Sequence, residues 1–125
     1  VHGFAAPIGG MFDAPHGAVC AALLPHVMRA NIRALRERAA GSNALERYAE
    51  IARILTGKPD AKPEEGADWA EALVWRLGIP ALGAYGVRRE HVGVLVQNAA
   101  RASSMKGNPV TLSAEELSAV LEAAL

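Results

Sequence analysis

Histidines near the start of the chain are the residues whose types and spacing most readily suggest chemistry. Three of the four histidines, His2, His16 and His26, lie within the first 26 residues. His2 and His16 flank a segment rich in proline and glycine, which favours a tight reversal that would direct both imidazoles at one centre. Neutral imidazole is the commonest nitrogen ligand for zinc and iron. The pair is therefore a candidate metal site; the alternative is that His16 caps a helix while His2 lies on the surface.

The elements that must position these histidines are predicted to be helices. Aromatic residues make up only 5% of the chain, alanine is abundant, and no alternating run of β-branched residues is long enough for a strand. Residues 1–6 are predicted to be the last turn of a helix, followed by a loop that starts at Pro7. Asp13 is a good N-cap for a second helix, which should continue through a kink at Pro25 to about Arg38.

Four further helices are predicted from apolar residues at helical spacing and from end signals. The first of them follows a cap at 41–43, and the next two cover 64–77 and 89–103. A capping box of Ser113 with Glu116 begins the last one. The helix over 64–77 is predicted to bury one stripe of large side chains: Trp69, Leu73, Val74 and Leu77. The expected fold class is all-α, with five main helices.

The composition is that of one domain over residues 1–125. The Lys+Arg count of 13 equals the Asp+Glu count of 13, which argues against a nucleic-acid or membrane-surface protein. The apolar stretch 18–24 is too short to span a bilayer. A single cysteine, Cys20, excludes an intrachain disulfide and favours a reducing compartment, with cytoplasm as the default.

The other reactive side chains have structural expectations. His26 follows Pro25 and is expected to bond a backbone carbonyl that the kink frees. His91 is expected to be solvated. Cys20 lies on a helix among alanines, where a buried, inert thiol is the common outcome.

Residues 1–31, VHGFAAPIGGMFDAPHGAVCAALLPHVMRAN, closely resemble the second signature of the iron-containing alcohol dehydrogenase family. The shared features are His2-Gly3 at a helix end, a Pro-hydrophobic-Gly-Gly segment, Pro15-His16-Gly17 and Leu-Leu-Pro-His26. A weaker likeness continues through 55–57, 77–80 and 107–109. The resemblance implies the C-terminal helical domain of the dehydroquinate synthase-like fold. It also implies an N-terminal nucleotide-binding α/β domain that these residues lack, so we expect the chain to be truncated.

The same resemblance implies which residues form the site. His2 and His16 correspond to two metal ligands, for Fe²⁺ or Zn²⁺. The family completes its site with an Asp and another His from an upstream segment, so a site with two ligands should be open and weak. Ala6 replaces a histidine that many members place near substrate and nicotinamide. Ser104 and Met105 are expected beside the substrate pocket, or else in an ordinary connection to the last helix.

The function that the resemblance implies is hydride transfer between a small alcohol and NAD or NADP, with the metal holding the alcohol oxygen. The chain alone is expected to be inactive, because nothing in it is similar to a glycine-rich phosphate-binding turn. A maleylacetate reductase-like enzyme, a glycerol dehydrogenase-like enzyme and a non-catalytic helical module remain alternatives, although Ala6 and Cys20 speak against the first. No catalytic or nucleotide-binding residue is assigned, and a homodimer is left open.

Overall fold

The protein is helical throughout. The computed structural model describes all residues 1–125 and contains no strand. Short 3-10 helices occupy Leu82–Tyr85, Arg89–His91 and Ser103–Gly107. The α-helices are α1 (His2–Met11), α2 (His16–Arg38), α3 (Asn43–Thr56), α4 (Pro63–Arg76), α5 (Val92–Arg101) and α6 (Ala114–Ala123). The all-α prediction is confirmed, with one more helix than expected. None of these helices has the length and apolar character needed to cross a membrane.

The additional helix is α1, which continues through Pro7 to Met11. The prediction of a loop from Pro7 was therefore wrong. A proline inside a helix costs about 3 kcal/mol. However, the continued helix buries Phe4 and Ile8, which are 1% and 0% exposed, and burial of two such side chains contributes roughly 3–6 kcal/mol. The tertiary contacts thus offset the local penalty.

The long central helix, α2, begins at His16, with Pro15 in the N-cap position and no side-chain cap. The prediction that Asp13 caps this helix was wrong, whereas its end at Arg38 is confirmed. The helix continues through Pro25, which is buried. It packs against α1, α3, α4 and α6, so the other elements are placed relative to it.

Two groups of buried side chains lie on different sides of α2. The main core joins α1, α2, α5 and α6, and its largest members include Phe4, Ile8, Leu23, Leu95 and Leu121. The minor core joins α2 and α4 through Met28, Ala67 and Ala70, with Tyr48 of α3 packed against it. The apolar residues whose helical spacing predicts the last two helices lie in the main core: Val92, Leu95, Val96, Ala99, Leu117, Val120, Leu121 and Ala124. The capping box is also confirmed, because Ser113 Oγ accepts from Glu116 N at 3.2 Å and Ser113 N donates to Glu116 at 2.7 Å.

The buried face of α4 differs from the predicted stripe. Leu77 is 65% exposed, and the buried positions are Pro63, Gly66, Ala67 and Ala70. A Cβ at Gly66 would lie 3.2 Å from Ala52 Cα, so α3 and α4 approach too closely for large side chains between them. Small residues therefore make this contact.

Arginines on α2 connect it to its neighbours. Arg36 donates to Glu64 of α4 at 2.8 Å, and Arg38 donates to Glu116 of α6 at 2.8 Å and to the Thr111 carbonyl at 2.8 Å. The hydrogen bonds from Arg38 and from the Ser113 backbone lower the pKa of Glu116. Because solvent screens such exposed pairs, they contribute little to stability.

Candidate metal centre

The structure brings His2 and His16 together. Their ring centroids are 5.4 Å apart and the ring planes are inclined by 43°. His2 is the first residue of α1 and His16 is the first residue of α2. The two helix beginnings are therefore adjacent, although the other nine residues of α1 lie between them.

The reversal that makes this possible lies after Met11 rather than at Pro7. Phe12 and Pro15, which bound the connection, both have extended backbone conformations. From His2 to Met11 a helix rises roughly 13 Å, and the five steps from Met11 to His16 can span up to roughly 17 Å when extended. A connection of this length can return along the whole of α1, although it contains a turn in which Ala14 N donates to Phe12 O at 2.9 Å.

His16 does not act as a helix cap, because the N-cap residue is Pro15 and no side chain bonds the first turn. The polar contact of its ring is with Cys20, whose Sγ lies 3.5 Å from His16 Nε2. Cys20 is half-buried, so the burial prediction is met only in part, and the inertness of the thiol stays a prediction. The signal available in the sequence was the spacing of four residues, which places His16 and Cys20 on the same helix face.

His2, His16 and Cys20 form the ligand cluster of this chain. One potential ligand atom from each residue lies within 4.8 Å of the others. Imidazole nitrogen and cysteine sulfur are both ligands that bind zinc and other transition metals. The donor set is chemically suited to a divalent metal ion.

The other predicted site residues lie beside α1. Ala6 is exposed and follows His2 by one helical turn, so both lie on one face of α1. Met105, in the 3-10 helix Ser103–Gly107, packs over Gly3, where an added Cβ would lie 2.6 Å from Met105 Cε. Ser104 is exposed in the same short helix. That a substrate binds here stays a prediction.

A buried amide pair fixes the position of this short helix. Asn31 of α2 is 2% exposed; its Nδ2 donates to Asn108 Oδ1 at 2.9 Å, and its Oδ1 accepts from Asn108 Nδ2 at 2.7 Å. Asn31 also donates to Tyr48 at 3.0 Å, and Asn108 donates to the Val110 carbonyl at 2.7 Å. The segment that carries Met105 is thereby bonded to α2. Nothing in their spacing along the sequence indicates that these two asparagines pair.

The remaining histidines lie outside the ligand cluster. His91 Nδ1 accepts from Arg88 N at 3.0 Å, and its ring contacts Phe12 edge-on with centroids 5.1 Å apart. The side chain of His91 is 29% exposed, so it is solvated only in part, as it packs against the connection between α1 and α2.

His26 lines a groove of about 340 Å³ between α2 and α6. Partial burial lowers its pKa. The side chains that donate to backbone carbonyls are Arg38, Thr56, Asn108 and Ser118. His26 is not among them, so the hydrogen bond to a backbone carbonyl that was expected for His26 is not formed.

The fold and the ligand cluster together define an all-helical domain with candidate metal ligands at its beginning. A model of the "Fe-containing alcohol dehydrogenase family, C-terminal" matches residues 1–125. The chain therefore belongs to the Fe-containing alcohol dehydrogenase family.

Relatives with known names are similar over nearly the whole chain. Lactaldehyde reductase of Escherichia coli (strain K12) is 36% identical over 123 residues, which cover 94% of this chain and 30% of that protein. Alcohol dehydrogenase 4 of Saccharomyces cerevisiae (strain ATCC 204508 / S288c) is 32% identical, with 99% of this chain and 31% of that protein covered.

A solved structure is similar in fold as well as in sequence. The crystal structure of 1,3-propanediol oxidoreductase superposes with a TM-score of 0.77 at 30% identity, covering 99% of this chain and 32% of that one. The chain thus spans about 30% of the length of the curated relatives it matches.

Proposed function

We propose that this chain is the metal-ligating C-terminal part of a metal- and NAD(P)-dependent alcohol dehydrogenase. The observation that carries the proposal is the convergence of His2 and His16, two helix-initial imidazoles whose rings lie 5.4 Å apart. Family membership supports it. The names of the relatives, lactaldehyde reductase and 1,3-propanediol dehydrogenase, favour small hydroxylated alcohols and aldehydes as the substrate class.

The residues of the ligand cluster fit an iron or zinc ion. Neutral imidazole binds both metals. When bound, the ion would supply Lewis-acid stabilisation of negative charge developing on the alcohol oxygen. His2 and His16 would orient it at the beginnings of α1 and α2. Ala6, one turn beyond His2, carries no group that could transfer a proton, so the proton path would use other residues.

The nucleotide would bind largely to residues outside these 125. Dinucleotides are typically held at a glycine-rich turn between a strand and a helix, and the chain contains no strand. We therefore expect the 125-residue chain alone to be inactive even when it is loaded with metal. Alcohol-dependent reduction of NAD or NADP by the metal-loaded chain alone would contradict this part of the proposal.

The test compares the full-length protein with His2→Ala and His16→Ala variants. We would measure metal content by mass spectrometry, together with NAD(P)H-dependent reduction of lactaldehyde and oxidation of 1,3-propanediol. Loss of a ligand should weaken metal binding by more than the roughly 10–100-fold that loss of a ligand's supporting partner costs. Activity should fall with metal content.

His26→Gln is the matched control, because it changes a histidine of α2 that lies outside the ligand cluster. This variant should keep both the metal and the activity. Full metal content after removal of both His2 and His16 would refute the metal assignment. Analysis of the products would separate a maleylacetate reductase-like or glycerol dehydrogenase-like activity from the proposed one.

A further inference from the structure

We propose that the Cys20 thiol is a third ligand of the metal held by His2 and His16, and that it shifts the preference of the site towards zinc. This inference rests on the proposed function, because it presupposes that a metal binds at the ligand cluster. It concerns Cys20, which is not one of the histidines on which the family resemblance rests.

The distance from Cys20 Sγ to His16 Nε2 has the value that shared coordination requires. Metal–sulfur and metal–nitrogen bonds to zinc are roughly 2.3 Å and 2.0–2.1 Å long. Two such bonds at a tetrahedral angle place sulfur and nitrogen about 3.5 Å apart. The observed separation is 3.5 Å, which matches the distance between two donors that share one ion.

His2 can complete the set with a small adjustment. The cluster's ligand atoms lie within 4.8 Å of one another, so the widest pair would have to close by roughly 1 Å to reach tetrahedral separations. His2 is exposed and can make this change by rotating its side chain. Cys20, in contrast, is half-buried and packs against the main core, which fixes the sulfur in place.

The position of Cys20 on α2 also favours ligation. Cys20 follows His16 by four residues, so the helix itself holds both donors on one face. A thiol that served only as core packing would not need a polar partner. The competing explanation is a simple hydrogen bond between the thiol and His16 Nε2, in which case a metal that binds His16 would leave the thiol protonated.

Ligation would change both the number and the character of the donors. The Sγ–H bond breaks, the proton passes to solvent and an Sγ–metal bond forms, with no change in oxidation state. The thiolate would raise the number of ligands that this chain contributes from two to three, beside the Asp and His that the resemblance implies upstream. Because thiolate is a soft ligand, it should favour zinc over manganese and Fe²⁺.

Cobalt(II) loaded into the full-length protein in place of zinc provides the spectroscopic test. We expect a thiolate-to-cobalt charge-transfer band in the near ultraviolet. The band should be absent from Cys20→Ser, while cobalt still binds through His2 and His16. Ala21→Ser is the matched control, since it adds a hydroxyl to the next position of α2, and it should keep the band.

Thiol reactivity and metal preference provide independent measurements. Zinc should slow alkylation of Cys20 by iodoacetamide about tenfold or more in the wild type, and this protection should be lost in His2→Ala and His16→Ala. The Kd for zinc should rise by about tenfold or more in Cys20→Ser, in the range known for altered metal sites, while the Kd for manganese should change less.

The outcomes separate this inference from the proposed function. Stoichiometric cobalt without a thiolate band, or zinc binding that Cys20→Ser leaves equally tight, would overturn the role of Cys20 and leave the two-histidine site intact. A wild-type protein that binds no metal would overturn both proposals. A band that disappears in Cys20→Ser, with cobalt still bound, would support both.

Discussion

The amide pair between Asn31 and Asn108 allows the sharpest prediction about stability. We would replace Asn108 with Ala. This substitution removes the two hydrogen bonds of the pair and the bond to the Val110 carbonyl. Asn31, which is 2% exposed, keeps only its bond to Tyr48. Its Oδ1 then has no partner inside the protein.

The expected cost follows from that unpaired oxygen. A buried polar group without a partner costs about 1–3 kcal/mol, and an ordinary hydrogen bond contributes about 0.5–1.5 kcal/mol. Because Asn108 is half-buried, water can enter and satisfy part of the loss. We therefore expect Asn108→Ala to lower the free energy of unfolding by about 2–3 kcal/mol. This is a large share of the roughly 5–15 kcal/mol typical of a domain.

The assay is urea unfolding followed by circular dichroism, for Asn31→Ala, Asn108→Ala and the double variant. Each single variant leaves an amide oxygen of the pair without its partner in the other asparagine, whereas the double variant removes both amides. The double variant should thus cost less than the sum of the two single losses, by about 1–2 kcal/mol. The reasoning would be refuted if the losses of the two single variants add up in the double variant, or if Asn108→Ala costs less than about 0.5 kcal/mol. The two asparagines would then not stabilise each other.

Two further predictions concern the neighbourhood of α1 and the groove beside α2. Gly3→Ala would place a Cβ 2.6 Å from Met105 Cε, the flexible end of that side chain, and Ala favours a helix over Gly, so urea unfolding should show a loss of at most about 1 kcal/mol that becomes smaller in combination with Met105→Ala. Burial lowers the pKa of His26, so the unfolded chain binds a proton at a higher pH than the folded chain. The stability of the metal-free protein should therefore decrease as the pH falls below about 6.5.

Each of these predictions has a comparison that can contradict it. If Gly3→Ala costs the same with and without the Met105 side chain, the contact between them is not the cause. His26→Gln should flatten the pH dependence of stability measured by thermal unfolding. An unchanged slope in that variant would mean that other groups bind the proton.

Features determined by neighbouring residues could be predicted from the sequence. Three features depend on residues a few positions apart. They are the buried faces of α5 and α6, the capping box of Ser113 with Glu116, and the end of α3 at Gly57, whose φ is 71°. The resemblance to the family identified His2 and His16 as a pair. Their types and spacing alone left helix capping open as the alternative.

Tertiary structure decided the features that join distant parts of the chain. Helix α1 continues through Pro7 because the main core buries Phe4 and Ile8, a stabilisation that no local pattern reveals. The contact face of α4 consists of small residues because α3 approaches closely at Gly66. Asn31 and Asn108 pair across 77 positions, and spacing does not show which polar residues meet.

The candidate metal site combines both kinds of information. The sequence alone supplied the imidazoles and, four positions after His16, a thiol on the same face of a helix. Only the folded chain places His2 next to them, because the extended connection after Met11 returns to the beginning of α1. Helical spacing fixes the local pair His16 and Cys20, whereas the third member depends on how two helices pack.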